Sequence, residues 1–375
     1  MGLWGKRDDM VVHEREPFNA EPPPAALTGG GITPLDTFFS RNHGPVPDLD
    51  PAGWRLTVDG LVERRLSLSL DDLRTRFAAT EVTATLQCAG NRRRALTDVR
   101  DIPGETPWGP GALSTARFRG VRLADVLGHA GLDPRTAHIA FTAPDVSPQA
   151  DPPEPYGVSV PLAKALGPEV LLAWAMNDRP LPRVHGAPLR VVVPGWIGAR
   201  SVKWLHRVTA RATPSDAHFQ AVAYRLPPAA ADPGRARPGD GVPLGPLALN
   251  CAVLSPADGS RPPAGPTRIT GYALAGEGRT VARVDVSCDA GRTWTRAGLA
   301  DAAGPWVWQH WHAVLDLPAG EVEVVARARD SAGATTPESP ATVWNPKGYV
   351  NNSWGRVRLR CGGRFRPAPR GTQRP

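Results

Sequence analysis

Val82-Thr83-Ala84-Thr85-Leu86-Gln87-Cys88-Ala89-Gly90-Asn91-Arg92-Arg93-Arg94 is the stretch from which the rest of this chain is best read. Its first five residues lean towards strand, and Ala89-Gly90-Asn91 is turn material. A cysteine therefore stands where a strand ends, followed closely by three arginines. Guanidinium groups near a sulfur stabilise the thiolate, the form that acts as nucleophile or metal ligand. They also offer planar, permanently charged surfaces to an oxyanion. The plain alternative is a packed thiol followed by solvated arginines, because free cysteines are among the most buried residues. On these residues alone both readings stay open.

Composition narrows the choice. A chain of 375 residues is too long for one ordinary core, so two or more domains are expected. Hydrophobic residues at 41% and charged residues at 21% describe a globular protein. The 42 prolines and 39 glycines are scattered, which favours many short strands joined by turns. Cys88, Cys251, Cys288 and Cys361 are far apart, without CxxC or zinc spacing, and read as free thiols of a reducing compartment. The net charge of +8 admits nucleic acid, an acidic membrane face or a small anion. No basic helix or lysine-rich tail supports the first two, so the expectation is a small anionic substrate, no nucleic acid and no membrane insertion. Met1 to Ala25 is polar and proline-rich, unlike a signal peptide, and no apolar run reaches membrane-spanning length. The expected location is cytoplasmic.

Along the chain, residues 1–30 read as an extended arm ending in Gly29-Gly30-Gly31. Trp54 to Val58 alternates as a strand, with Asp59-Gly60 as a hairpin-type turn. Leu70 to Phe77 suits a short helix capped by Ser69 or Asp71, and Leu123 to Leu127 a second one ended by Gly131. Leu162 to Leu166 reads as helix, Val170 to Met176 as a buried strand turning at Asn177-Asp178, and Leu189 to Val193 as another buried strand. Short helices among strands make residues 31–215 one α+β domain, and no GxGxxG follows a strand to suggest a nucleotide fold. Residues 216–245, rich in Pro, Ala and Gly, read as a linker. Beyond them, alternating strands at Thr267–Ala273, Val281–Ser287, Trp306–Leu315 and Glu321–Arg329 predict an all-β immunoglobulin-like sandwich over 246–365, with 366–375 a tail.

Several phrases now align in a fixed order: Phe39-Ser40-Arg41-Asn42-His43, Leu86 to Arg93, Tyr156-Gly157-Val158-Ser159, Met176-Asn177, His185-Gly186, Pro188-Leu189-Arg190, Val193-Pro194-Gly195, Gly198 to Leu205 and Trp344-Asn345. Together they resemble the molybdenum domain and following dimerisation domain of the sulfite oxidase family, over residues from about 10 to 361. Eukaryotic assimilatory nitrate reductases share that core. The resemblance implies a haem-free bacterial type with a molybdopterin cofactor carrying molybdenum, and with Cys88 as the thiolate ligand to the metal. It implies that Phe39, Ser40, Arg41, Asn42, His43, Asp145, His185, Arg190, Ser201, Val202 and Lys203 hold the pterin and its phosphate. It also implies that Arg41, Arg93, Trp108 and Tyr156 surround the substrate anion. Each has a plain alternative: a loop histidine at His185, an ordinary turn at Asp145, packing at Trp108, a turn at Tyr156.

The same resemblance implies oxidation of sulfite to sulfate, a homodimer, and electrons passed to a separate acceptor such as a c-type cytochrome. No His-Pro-Gly-Gly haem phrase and no flavin domain are read, so neither cofactor is expected. One position departs from the family. Its vertebrate and plant members carry Trp-Asn-Leu-Arg-Gly, whereas this chain has Trp344-Asn345-Pro346-Lys347-Gly348. The charge survives at Lys347, but the bidentate fork is lost. Two alternatives stand beside this reading: reduction of nitrate or another small oxyanion or sulfoxide at the same centre, and a cofactor-free anion-binding or adaptor protein.

Overall fold

The strand that leads to Cys88 is Ala79–Gln87 (β5), and its residues pass from half-exposed to fully buried as the cysteine approaches. The computed structural model describes residues 2–227, 237 and 239–362. In it β5 pairs antiparallel with Leu113–Arg122 (β6), placing Leu86 opposite Ser114 and Gln87 opposite Leu113. Leu171–Met176 (β9) lies on the far side of β6, flanked by Arg179–Pro180 (β10) and Arg190–Val192 (β11). A second sheet runs Leu66–Leu68 (β4), Leu56–Gly60 (β3), Arg207–Arg211 (β12), His138–Ser147 (β7), Glu154–Pro161 (β8). Both sheets face one core, which includes Leu113, Val121, Phe141, Val158, Val191 and Val208.

Local chemistry explains the helices. Leu70–Arg76 (α1) starts at Ser69, whose hydroxyl accepts from the Asp72 amide while the Asp72 carboxylate accepts from the Ser69 amide. Leu123–Ala130 (α3) stops at Gly131, which adopts φ +72° and returns its amide to Leu127. The single turns Arg94–Thr97 (α2) and Leu162–Ala165 (α4) complete the set. Asn177 and Asp178, at φ 51° and 61°, form the left-handed turn between β9 and β10. No helix among the described residues is long and apolar enough to cross a membrane.

Three expectations need correction. Asp59-Gly60 is not a turn: both residues extend β3, opposite Thr209 and Ala210 of the parallel strand β12. The N-terminal arm is not simply extended. Val11–Glu14 (β1) and Asn19–Glu21 (β2) form a hairpin, and Lys6, Phe18 and Ala20 are buried. Glu21 accepts the amides of Gly109 and Gly111, so the arm braces the loop after α2. The stretch read as a linker begins as core. Phe219 and Tyr224 are buried around the wide turn Phe219–Ala223, and Arg225–Leu226 (β13) pairs with Val242–Pro243 (β14). Residues 228–236 and 238 of that stretch, and the tail 366–375, lie outside the described residues.

The C-terminal half is a pair of four-stranded sheets. Asn250–Ser255 (β15), Gly265–Leu274 (β16), Gln309–Leu317 (β20) and Gly298–Leu299 (β19) form one. Thr295–Arg296 (β18), Val281–Ser287 (β17), Gly320–Asp330 (β21) and Gly355–Cys361 (β22) form the other. Val253, Ile269 and Trp311 meet Val284, Val324 and Leu359 between them. The two halves also interlock: Tyr272, Leu274 and Trp308 belong to the core of the first half.

Arg92 makes the sharpest of these inter-half contacts. It sits at φ 64°, is buried, and donates to the Ser353 and Trp354 carbonyls at 2.8 and 2.7 Å. Replacing it with Met leaves those carbonyls without their donor, so Arg92→Met should lower unfolding free energy by about 2–4 kcal/mol. Arg94 is exposed, and Arg94→Met should change it by less than about 0.5 kcal/mol. Denaturant unfolding of both variants checks the contrast, and equal effects would refute the clamp.

Candidate functional site

Because β5 ends at Gln87, Cys88 falls at the edge of a cleft enclosing about 680 Å³ of space open to solvent. The cysteine is buried, its amide donates to Ala112 O at 2.9 Å, and its sulfur accepts from the Gly90 amide at 3.4 Å. Burial pushes the thiol pKa up, while the charges of Arg93 and Arg41 pull it down. Among the described residues no three His, Cys, Asp or Glu side chains cluster as a metal site.

The cleft gathers most of the expected cofactor residues. Phe39, Arg41, Asn42, His43, Asp145, His185, Arg190, Ser201, Val202, Lys203, Tyr156 and Cys88 all line it. Ser40 stands just outside, its backbone paired with Ala20 and its buried hydroxyl without a partner. Arg190 donates to His185 O and Ser201 O, at 3.1 and 3.0 Å, while its buried Nε has no partner. Burial lowers its pKa to about 9. Lys203 donates to Arg41 O, Asn42 Oδ1 and Val184 O. Its pKa is far below the usual lysine value, through burial and the nearby Arg190 charge. Gly186 permits this approach: at φ 109°, a Cβ there would stand 2.8 Å from the Lys203 Cβ. Asp145 faces Lys203's charge with Oδ1 unpartnered, and burial drives its pKa up. These partnerless buried atoms among clustered cations fit a group with an anionic phosphate and polar ring edges, as a molybdopterin has.

Three expected substrate residues are placed differently. Arg93, Trp108 and Lys347 are not part of the cleft lining. Trp108 is fully buried, edge-on to His13 at 4.8 Å, and its indole N–H has no partner. Arg93 donates to Lys347 O at 2.8 Å and Thr106 O at 2.7 Å, and pairs with Glu105 at 3.2 Å. Lys347 reaches the same Glu105 at 3.0 Å. Tyr156 does line the cleft, but its hydroxyl donates to Ala199 O at 2.8 Å. Burial raises its pKa well above 10, so it stays a phenol.

Sequence reasoning missed several participants. Lys6, from the N-terminal arm, places its buried ammonium 2.7 Å from His185 Nε2 and donates to Leu35 O and Phe38 O. Tyr224 lines the cleft, bonds His43 Nε2 at 2.7 Å and stacks on Tyr349. Arg200 is fully buried and donates to Leu244 O and Gln220 Oε1. No local signal marks Lys6 or Tyr224, which act through partners distant in sequence, and Arg200 lies within the Gly198 to Leu205 phrase without a role of its own being read there.

Comparison with known proteins follows this geometry. Residues 43–219 match the domain family described as "Oxidoreductase molybdopterin binding domain", and 244–361 match "Mo-co oxidoreductase dimerisation domain". Sulfite oxidase of Gallus gallus is 44% identical over 371 residues, covering 92% of this chain and 77% of that protein. The mitochondrial sulfite oxidase of Homo sapiens is 45% identical over 361 residues, covering 93% of this chain. This chain spans only 65% of that protein's length. Among solved structures, the sulfane dehydrogenase SoxCD of Paracoccus pantotrophus superposes with a TM-score of 0.79 at 28% identity, covering 94% of this chain and 87% of that one.

Lys6 gives this site a pH signature. Burial lowers its pKa from 10.5 to about 7, so between those values the unfolded chain binds more protons than the folded one. Its contribution to stability therefore rises with pH across that window and falls as pH drops towards 7. The difference in unfolding free energy between wild type and Lys6→Met should rise from pH 7 to pH 9 by at most about 1.4 kcal/mol per unit. Denaturant melts at pH 7, 8 and 9 measure it, and a flat difference would contradict the burial.

Proposed function

The chain belongs to the sulfite oxidase family of molybdopterin-binding oxidoreductases, and from that premise we propose that it oxidises sulfite to sulfate at a molybdenum cofactor held in the Cys88 cleft. The observation that carries this reading is one cleft combining a single buried thiol with His185, Arg190 and Lys203. A soft metal ligand and phosphate donors are there in one cavity. When bound, the cofactor supplies a molybdenum centre that transfers oxygen and accepts two electrons.

The roles follow from each residue's chemistry. Cys88 gives its thiolate to the metal. His185, Arg190, Ser201 and Lys203 take the phosphate, and His185 is held neutral by burial and by the nearby Lys6, Lys203 and Arg190 charges. Asn42 and Asp145 offer polar contacts to the ring system, Phe39, His43 and Val202 shape its walls, and Ser40 supports them from just outside the lining. Arg41 stays charged and faces the cleft, where it draws in and orients the anion. Tyr156 anchors the cleft wall through Ala199, leaving its oxygen free to accept a hydrogen bond. Trp108 packs behind the cleft, while Arg93 and Lys347 act on the anion through their charge.

The remaining parts of the reading concern partners. The two electrons leave to a separate acceptor, for which a c-type cytochrome is the class to assay. The dimerisation-domain match supports two copies joined through the C-terminal sandwich, which we read as immunoglobulin-like. A cytoplasmic location completes it.

Purified protein should contain molybdenum close to one per chain and reduce ferricyanide or cytochrome c only when sulfite is added. Cys88→Ser should lose at least about a hundredfold in turnover while still folding. Nitrate reduction with a reduced dye and no sulfite turnover would overturn the direction of the reaction. Protein free of molybdenum after expression with the metal supplied would favour an anion-binding protein instead.

A further inference from the structure

Glu105 is placed where a carboxylate works against an anion site. Its Oε2 lies 3.2 Å from Arg93 Nη2 and its Oε1 lies 3.0 Å from Lys347 Nζ. The three side chains form a line from solvent inwards: Lys347 is 50% exposed, Glu105 17% and Arg93 3%. From this arrangement we propose that Glu105 sets the affinity of the substrate approach for dianions, by holding the Arg93 and Lys347 cations partly neutralised. The proposal rests on the sulfite-oxidising reading and adds a specificity-determining residue to it.

Glu105 is not needed to place Arg93. That guanidinium also donates to Lys347 O and Thr106 O, and it lies over the Tyr349 ring at 5.4 Å. It is wedged between glycines: a Cβ on Gly90 would stand 2.5 Å from Arg93 Nη2, and one on Gly348 2.5 Å from its Cγ. Removing the Glu105 charge thus leaves Arg93 in position and changes mainly the field. The pair stands close to the cleft: Arg93 packs on Gly90, whose amide donates to the Cys88 sulfur, and at Tyr224, which lines the cleft, Glu105 pushes the phenol pKa up while Arg93 pulls it down.

The chemistry gives such a carboxylate a use. Sulfite and sulfate are both small oxyanions, so an approach with two uncompensated cations attracts product as well as substrate. One carboxylate shared by both cations weakens each in proportion, trading substrate affinity for product release. It also lessens attraction to other dianions.

Steady-state kinetics of the molybdenum-loaded enzyme test this. Glu105→Gln should lower the sulfite KM and the sulfate inhibition constant together, each by about threefold to tenfold, with a steeper dependence on ionic strength. Glu105→Asp, which keeps the charge, should stay near wild type, and Lys347→Met should shift the KM upwards. The proposal is overturned if the Gln variant keeps its KM and sulfate inhibition within twofold, if only kcat falls, or if the Asp variant behaves like the Gln variant. It is equally overturned if the Gln variant no longer retains molybdenum, which would make Glu105 a folding residue. Calorimetric titration of wild type and Glu105→Gln with sulfate reads the same charge effect without turnover. A chain inactive on sulfite but showing that shift would fail the functional reading and keep this one.

Discussion

The turn that carries Cys88 is buried from Cys88 to Arg93, and hydrogen bonds from distant segments hold it. Ala112 accepts the Cys88 amide, and the Val350 amide reaches Ala89 O at 2.8 Å. Asn91 donates to the Tyr272 hydroxyl, Arg92 donates to Ser353 and Trp354, and Asn351 returns a bond to Arg92 O. Each bond contributes little net, but losing one partner of a buried pair costs far more. The thiol is therefore oriented as much by residues 272–354 as by the strand that delivers it. The C-terminal half is a part of the site's framework as well as a surface for assembly.

A second constraint is electrostatic. Lys6, Arg41, Arg190, Arg200 and Lys203 converge on or behind one cleft, and Asp145 is the carboxylate among its lining residues. Desolvation is the largest influence on each, and it brings Lys6 to about 7, Arg190 to about 9 and Arg200 to about 10. Such clustering is costly for the protein alone, because charges buried together repel and lose water. The same desolvation makes these donors strong towards a phosphate, which would restore their charged forms. Stability given up in clustering these charges reappears as affinity for an anion.

What the sequence revealed depended on how local the physics was. The starts and stops of α1 and α3 were legible because Ser69, Asp72 and Gly131 act within a few residues of themselves. Asp59-Gly60 misled because its turn signal was outweighed by pairing with β12, about 150 residues away. The arm misled because a polar average conceals its buried residues: Lys6, Met10, Leu27 and the whole run from Phe18 to Pro22 are buried. Arg92 had no readable task because its carbonyl partners lie 261 and 262 residues further on. The residues expected to hold the cofactor were picked out by the order of the phrases, not by spacing, and most of them do meet in one cleft.

That order conveys nearness but not exposure, and the difference matters for the anion. Arg93 follows Cys88 by five residues, yet its Nε, Nη1 and Nη2 all have protein partners. A guanidinium so engaged cannot grip an oxyanion bidentately unless one of those bonds is exchanged. It can still act at a distance, since Coulomb attraction in a partly desolvated site weakens only as the inverse of separation. Arg41 is the different case: it lines the cleft itself, with its guanidinium turned back onto Asn42 O. The two arginines that resemblance treats alike are thus set differently, one lining the cleft and one with all three guanidinium nitrogens engaged by the protein. On the proposed sulfite-oxidising reading, that difference would assign the anion's orientation to Arg41 and its attraction to the charge balance around Arg93.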